Sequence, residues 1–351
     1  MTANLYYECF ADIDIGDPFF DSLKKDYVEF PSWFSGKADE RAYTFKQEGG
    51  NLDGFLYLKS EDTAVEDVTP TLPAAPRIKI GTFKVNPHGT RLGERFMKKT
   101  FDHALAGKCE QIYVTVFPRY ETLIQLFQRY GFTQIAEKRT DNGTELVFLR
   151  KLYQPLGDVV KDYPLIPVHE DRQFLLAIYP EWHSRLLPDS ILKTESSSIL
   201  EDVSHTNSIH KIYLAAMQGI DGLRQGDTIV IYRTTDGAGP AHYRSVATSV
   251  CVVEELRHIS EFPSLETFHD HCASYSIFTE PELRTFYARK RYPWVIRFTY
   301  NLALTKRVTR QVLIDNVGLD AKAYWGFLPM TSKQFRVILD LAGNDESTLV
   351  H

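Results

Sequence analysis

Nowhere in this sequence do about 18 apolar residues follow one another, so no segment is long enough to cross a membrane as a helix. The segment Met1-Thr2-Ala3-Asn4-Leu5-Tyr6-Tyr7-Glu8 has no basic stretch leading into an apolar core, and a cytoplasmic location is expected. Cysteine is scarce: Cys9, Cys109, Cys251 and Cys272 lack the close paired spacing of zinc knuckles and redox motifs. They read as free, mostly buried thiols. His269-Asp270-His271-Cys272 clusters metal-ligating types, but no second ligand group accompanies it, and no metal is expected. Positive charge is not in excess. With a net charge of -6 the chain is no polycation, and a nucleic-acid face would have to come from the local clusters Arg284 to Arg291 and Lys306 to Arg310. Internal repeats and low-complexity tracts are missing as well.

What is present suits two folded cores. The 351 residues exceed the usual domain of about 100–200. A hydrophobic fraction of 43% with 13% aromatics supplies both interiors. Pro155, Pro164 and Pro167 mark a connection, so the expected division is a domain over 1–153, a linker over 154–168 and a second domain over 169–351.

Between Arg77 and Leu152 strand and helix patterns alternate. Ile78, Ile80, Phe83 and Val85 lie in a β-rich run ending at Asn86-Pro87-His88-Gly89. After Gly93, Phe96, Met97, Thr100, Phe101, Ala104 and Leu105 recur at helical spacing up to Gly107. Gln111 to Phe117 is a short buried strand stopped by Pro118. Helical period returns from Tyr120 to Tyr130 with Gly131 as the stop, and Asp141-Asn142-Gly143 turns a hairpin. Upstream, Pro18 to Tyr27 and Trp33 to Arg41 read as helices, and Ala42 to Phe45 with Gly54 to Leu58 as a strand pair. Ser60 to Pro76, acidic and then proline-rich, is expected to be a long loop and not a core element.

A strand that delivers a turn of small residues to a helix N-terminus can hold a diphosphate, because free backbone N–H groups and the helix dipole both face the anion. Here that turn is His88-Gly89-Thr90-Arg91-Leu92-Gly93. Together with the strand Thr82-Phe83-Lys84-Val85, the strand Tyr113 to Phe117 and the helix ending Tyr130-Gly131-Phe132, it resembles the GNAT family of acetyl-CoA-dependent N-acetyltransferases from about Leu5 to Leu152. The resemblance implies an α+β fold, a mixed sheet with flanking helices, and acetyl-CoA as cofactor. It puts pantetheine on the backbone of Phe83, Lys84 and Val85, and the pyrophosphate on His88, Gly89, Thr90, Arg91, Leu92, Gly93, Glu94 and Arg95. Arg91 stands where the family has its second glycine. Phe127 stands where the family has a tyrosine that protonates the departing thiolate, and Tyr120 and Tyr130 are the available substitutes. Glu121 or Glu94 would act as a base through water.

In the second half, Phe174 to Tyr179, Ile212 to Leu214, Thr228 to Arg233, Ser245 to Glu254 and Val295 to Tyr300 are strand-like. Ser264 to Ser274, Glu280 to Arg289 and Ser332 to Ala342 read as helices. The turn Gly226-Asp227 entering an apolar strand, with its return strand from Tyr243 to Val250, resembles the PUA-like superfamily that includes EVE and ASCH domains. That implies a β-barrel with added helices that binds RNA or a modified base. Tyr232, Trp294, Tyr300 and Trp325 are the pocket candidates, and Arg233, Arg244 and Arg297 the phosphate contacts. The pairing is similar to bacterial acetyltransferases with a PUA-like region, some in toxin–antitoxin or defence contexts. It implies acetylation of an amine on an RNA such as tRNA, or on a nucleic-acid-associated substrate, and an antitoxin protein as a further partner. Two alternatives remain: a non-catalytic module that binds CoA and nucleic acid, favoured by Phe127, and a protein N-acetyltransferase that docks through its second domain.

Overall fold

The computed structural model describes residues 4–47, 50–86, 91–187, 190 and 208–351. The chain divides into two compact units, Met1–Leu156 and Gly157–His351.

In the first unit, strands β1 (Asn4–Cys9), β2 (Arg41–Lys46), β3 (Leu52–Glu61), β4 (Arg77–Val85), β5 (Gln111–Val116), β6 (Thr133–Thr140) and β7 (Gly143–Lys151) make one sheet, in the order β1-β2-β3-β4-β5-β7-β6. Its helices are α1 (Asp21–Asp26), α2 (Phe30–Ser35), α3 (Leu92–Ala106) and α4 (Glu121–Arg129). Only β4 and β5 are parallel neighbours, with α3 as the crossover that parallel strands need. The helix expected from Trp33 to Arg41 is corrected: α2 starts at Phe30, and Arg41 already opens β2. The burial of Phe30 and Phe34 against Phe10, Phe20 and Phe55 sets its position. Helix α3 begins one residue before Gly93, because Arg91 takes a left-handed conformation (φ 52) at its N-cap.

A second correction concerns Ser60 to Pro76. Val65, Val68 and Leu72 of this segment are buried against Tyr113, Ala136, Val147 and Leu149 of the sheet. Thr69 exchanges backbone hydrogen bonds of 2.8 and 2.9 Å with Glu137. Its prolines keep it extended, so its spaced apolar residues can lie flat on the strands beneath it. It is a strap over one sheet face, and part of the core.

The second unit contains, in chain order, α5 (Val159–Asp162), β8 (Ile166–Pro167), β9 (Gln173–Ile178), α6 (Pro180–Leu186), β10 (His210–Ala215), β11 (Thr228–Arg233), α7 (Ala241–Arg244) and β12 (Val246–His258). There follow α8 (Leu265–Ala273), α9 (Glu280–Arg289), β13 (Trp294–Thr309), α10 (Arg310–Asp315), β14 (Phe327–Met330), α11 (Ser332–Ala342) and β15 (Leu349–Val350). Six strands pair in the order β10-β13-β12-β11-β9-β14, and β8 pairs with β15. Among the described residues no pairing joins β10 to β14, so the expected barrel is an open sheet here. Both of its faces are packed against helices. Phe174, Leu176, Ile229 and Ile231 pack toward Phe268 and Leu283 of α8 and α9, whereas Leu175, Val230 and Tyr232 pack toward Leu313, Phe335 and Leu339 of α10 and α11. Both faces are therefore covered, and β11 accordingly shows no exposed position.

No helix among the described residues is long and apolar enough to cross a membrane. No group of three or more His, Cys, Asp or Glu among them could hold a metal ion.

Candidate functional site

The parallel pair β4 and β5 comes apart. Their register ends at Ile80 opposite Val114, although β4 runs on to Val85 and β5 to Val116. A β-bulge accompanies the split: Tyr57 faces Thr82 and Leu58 faces Ile80, which leaves Gly81 as the extra residue. Bulges increase local twist and bend the strand that carries them. Only glycine fits there, since a Cβ on Gly81 would lie 2.5 Å from Cδ1 of Tyr57. Past Ile80, β4 keeps its β3 partners but has none across the gap. Crevices at the carboxyl ends of parallel strands are where open α/β sheets take ligands.

Beside the split lies a cavity of about 360 Å³. Tyr27, Trp33, Tyr57, Phe83, Phe117 and Tyr120 give it aromatic walls. Glu145 on β7 reaches it from the sheet and is 3% exposed. Tyr27, which closes α1, donates a 2.6 Å hydrogen bond to its Oε1, and Thr115 of β5 donates another at 3.2 Å. The ring of Tyr27 leans on Phe117 with centroids 5.3 Å apart. Burial first, then the charge of Glu145, pushes the Tyr27 hydroxyl far above its ordinary range, so it stays a proton donor. No described residue donates to Oε2 of Glu145. Sequence reasoning missed this carboxylate. Glu145, Val147 and Leu149 share one face of β7, and an acidic side chain where the period-two pattern calls for an apolar one was the available signal.

Farther along the same face the cavity turns basic. Lys138 is the cross-strand partner of Glu145 and pairs with Asp67 of the strap at 2.6 Å. Lys59 pairs with Glu61 at 3.0 Å, and Glu61 also accepts a 2.6 Å hydrogen bond from Tyr113. Lys79 stands between them, with its ammonium 5.6 Å from the centre of the Tyr113 ring. No carboxylate among the described residues lies within ion-pair distance of it. Burial lowers the pKa of Lys79, neighbouring Lys138 lowers it further, and Glu61 and Asp67 oppose the shift.

Of the residues expected to be catalytic, Tyr120 lines the cavity, and its hydroxyl donates to Asp26. Asp26 also holds Arg119 at 2.7 Å. Tyr130 is buried edge-on to Phe101 with centroids 6.3 Å apart, away from the cavity lining. Glu121 is the exposed first residue of α4. Phe127 is fully buried against Phe83 and Phe132, with centroids 5.5 and 5.2 Å away.

Of the expected cofactor residues, His88, Gly89 and Thr90 lie outside the described residues. Phe83, Lys84 and Val85 are the β4 residues beyond the split, and Lys84 reaches Ser22 with its ammonium 5.1 Å from the Phe19 ring centre. Arg91 caps α3 and lies 3.5 Å from Glu94, which Arg129 of α4 also holds at 2.8 Å. Leu92 is buried. Gly93 faces α4, where a Cβ would meet Leu126 at 3.1 Å. Arg95 is buried over the Phe45 ring at 5.0 Å.

The second unit holds an aromatic cleft of about 430 Å³ lined by residues of β9, β10 and β11 and of the segment before β14. Tyr232 and Trp325, both expected in a base pocket, meet there with centroids 5.3 Å apart. Arg310 lies 4.4 Å over Trp325, and Tyr179 and Tyr324 form rims that are 59% and 54% exposed. The other candidates are elsewhere. Trp294 packs edge-on against His258, and Tyr300 bonds to Ser190 at 2.7 Å in the interior. Arg233 is buried, Arg244 is taken by Asp236, and Arg297 is held by Glu254 at 3.2 Å. Arg310 was not singled out from sequence, because one cation in the run from Lys306 to Arg310 looks like any other until a tryptophan is placed beneath it.

No protein-family model matches the sequence, and no curated protein matches it either. Solved structures similar to it include a variant of ZmASCH from Zymomonas mobilis, at 9% identity and TM-score 0.32 over 49% of this chain and 99% of that one. Another is a GNAT family acetyltransferase from Elizabethkingia anophelis with acetyl-CoA bound, at 11% identity and TM-score 0.32 over 43% and 99%. A third is the NatC complex bound to Gag peptide and CoA, at 15% identity and TM-score 0.30 over 42% and 99%.

Proposed function

We propose that the first unit transfers an acetyl group from acetyl-CoA to an amine. The observation that carries this reading is the parting of β4 from β5 directly beside a cavity that presents a buried carboxylate, Glu145. The unpaired edge of β4 from Gly81 to Val85 fits an arm that bears amide groups, since such an arm can pair with it as a further strand would. Arg91 and Arg129, gathered around Glu94 at the start of α3, are cations that could meet its phosphates there. When bound, acetyl-CoA supplies an acetyl thioester.

Glu145 takes a proton from the acceptor ammonium, leaving the neutral amine that can attack. The C–N bond forms at the thioester carbonyl and the C–S bond breaks. The second proton leaves the nitrogen for the sulfur, and Glu145 returns its own proton to water. Tyr27 and Thr115 hold Glu145 in one orientation by fixing Oε1, which leaves Oε2 for the amine. Phe127 cannot donate to sulfur, and Tyr120, one of the tyrosines of the cavity wall, would do so once its bond to Asp26 turns.

Titration calorimetry of the full chain with acetyl-CoA, followed by release of CoA thiol in the presence of amines, tests this reading. Saturable binding with amine-dependent release supports it. Binding without release under every amine favours the non-catalytic module, and absence of binding at millimolar acetyl-CoA removes the reading altogether.

For the second unit we propose that the cleft of Tyr179, Tyr232, Tyr324 and Trp325 takes an unpaired base, with Arg310 beside it for a phosphate. This reading keeps an RNA as the partner of the chain. Binding of single-stranded oligonucleotides, followed through tryptophan fluorescence, tests it.

A further inference from the structure

Resting on the acetyltransferase reading, we propose that the acceptor is a small zwitterion: an amine that also carries a carboxylate or phosphate, with its amine at Glu145 and its anionic group at Lys79. The two ends of the cavity differ in what they lack. At one end Glu145 offers an oxygen to which no described residue donates, beside the point where β4 and β5 separate. At the other, Lys79 is a partly buried ammonium whose neighbours Lys59 and Lys138 each have a carboxylate, while it has none. A cation removed from water without a counter-charge is costly, and a bound anion removes that cost. Lys59, the cross-strand partner of Lys79, and the charge of Lys138, which extends from β6, reinforce its sign, even though Glu61 and Asp67 offset part of it.

The spacing is also informative. Lys79 faces Tyr113, Tyr113 faces Leu149, and Glu145 lies four residues from Leu149 along β7 (149 − 145). Two strand spacings and four residue rises put the α-carbons on the order of 15 Å apart. Once both side chains reach inward, several bonds must separate amine from acid in a ligand that touches both. A cavity of about 360 Å³ has the size of a metabolite site. The aromatic walls from Tyr27, Trp33 and Tyr57 would enclose the carbon chain between the charges.

The test compares matched acceptors with the full chain and acetyl-CoA: γ-aminobutyrate against butylamine, and aminopropyl phosphate against propylamine. The anionic member of at least one pair should have a kcat/KM higher by about tenfold, the effect of one charge-assisted contact. The pair that shows it distinguishes carboxylate from phosphate. Lys79→Gln should bring that ratio close to one, and Lys79→Arg should retain most of it. Equal use of neutral and anionic acceptors, or an equal loss for both in Lys79→Gln, overturns the proposal. Calorimetry with γ-aminobutyrate and aminopropyl phosphate alone separates this from failure of the acetyltransferase reading. If acetyl-CoA does not bind, saturable acceptor binding that Lys79→Gln weakens still supports the zwitterion site, and its absence in the wild type overturns it.

Discussion

Oη of Tyr27 lies 2.6 Å from Oε1 of Glu145, across 118 positions of sequence. The segment after α1 thereby orients a carboxylate on β7. Glu145→Gln keeps the shape and removes the base, so the rate of acetyl transfer should fall by ~10²–10⁴-fold. Affinity for acetyl-CoA should change little in calorimetry, since the contacts assigned to it lie on β4, α3 and α4. Tyr27→Phe removes one of the two hydrogen bonds to Oε1 and should cost about tenfold in kcat or less.

Gly81 is the position where a single added carbon does the most harm to the site. With a Cβ 2.5 Å from the Tyr57 ring, Gly81→Ala forces that ring or the β3–β4 bulge to move. Overpacking of this kind costs about 1–3 kcal/mol. Urea denaturation should report that loss. Because Tyr57 also lines the cavity, KM for the amine should rise in the variant that remains folded.

Much of the first unit could be read in advance because its signals are local. The periodicity from Phe96 to Leu105, the Gly131 stop and the Asp141-Asn142-Gly143 hairpin each depend on residues within a few positions. The candidate site is less legible, since it depends on register. Lys138, Glu145 and Thr115 come together only when β6, β7 and β5 pair in one alignment. The strap was misread for a related reason: Val65, Val68 and Leu72 show no regular period, and their burial depends on a surface formed by strands β5 to β7. In the second unit, the arginines of Arg233, Arg244 and Arg297 were chosen for charge. Sequence carries no sign that Asp236 and Glu254 have already engaged two of them.

His183 makes the second unit sensitive to acid. It is buried, shares a 2.8 Å hydrogen bond with Thr248, and burial, aided by Arg233 and Arg307, lowers its pKa to about 3. The unfolded chain takes up this proton near its ordinary value of 6.5, while the folded chain resists it until about 3. Stability from this group is therefore complete above about pH 6.5 and declines as pH falls toward 3, by up to about 1.4 kcal/mol per pH unit. Urea midpoints across that interval should show the decline, and His183→Gln should flatten it.

At the aromatic cleft, Tyr179→Ala and Tyr324→Ala should each weaken binding of a single-stranded oligonucleotide by roughly tenfold, the usual effect of one lost stacking partner. Folding should be spared, since both rings are more than half exposed. Arg310→Gln should reduce the salt dependence of that binding more than either tyrosine change. Quenching of tryptophan emission is the readout for all three.

The strap from Ser60 to Pro76 crosses the sheet at the basic end of the cavity and is tied to β6 by the pairing of Thr69 with Glu137 and of Asp67 with Lys138. It therefore links the β3–β4 connection to Lys138 of the cavity wall. Ser60 and Glu61 are the last residues of β3, whereas residues 62–76 belong to neither strand and are anchored to the sheet by Val65, Val68 and Leu72. A strap so anchored would keep the charge of Asp67 beside Lys138, and so help set the balance of charge that an acceptor meets at the basic end of the cavity.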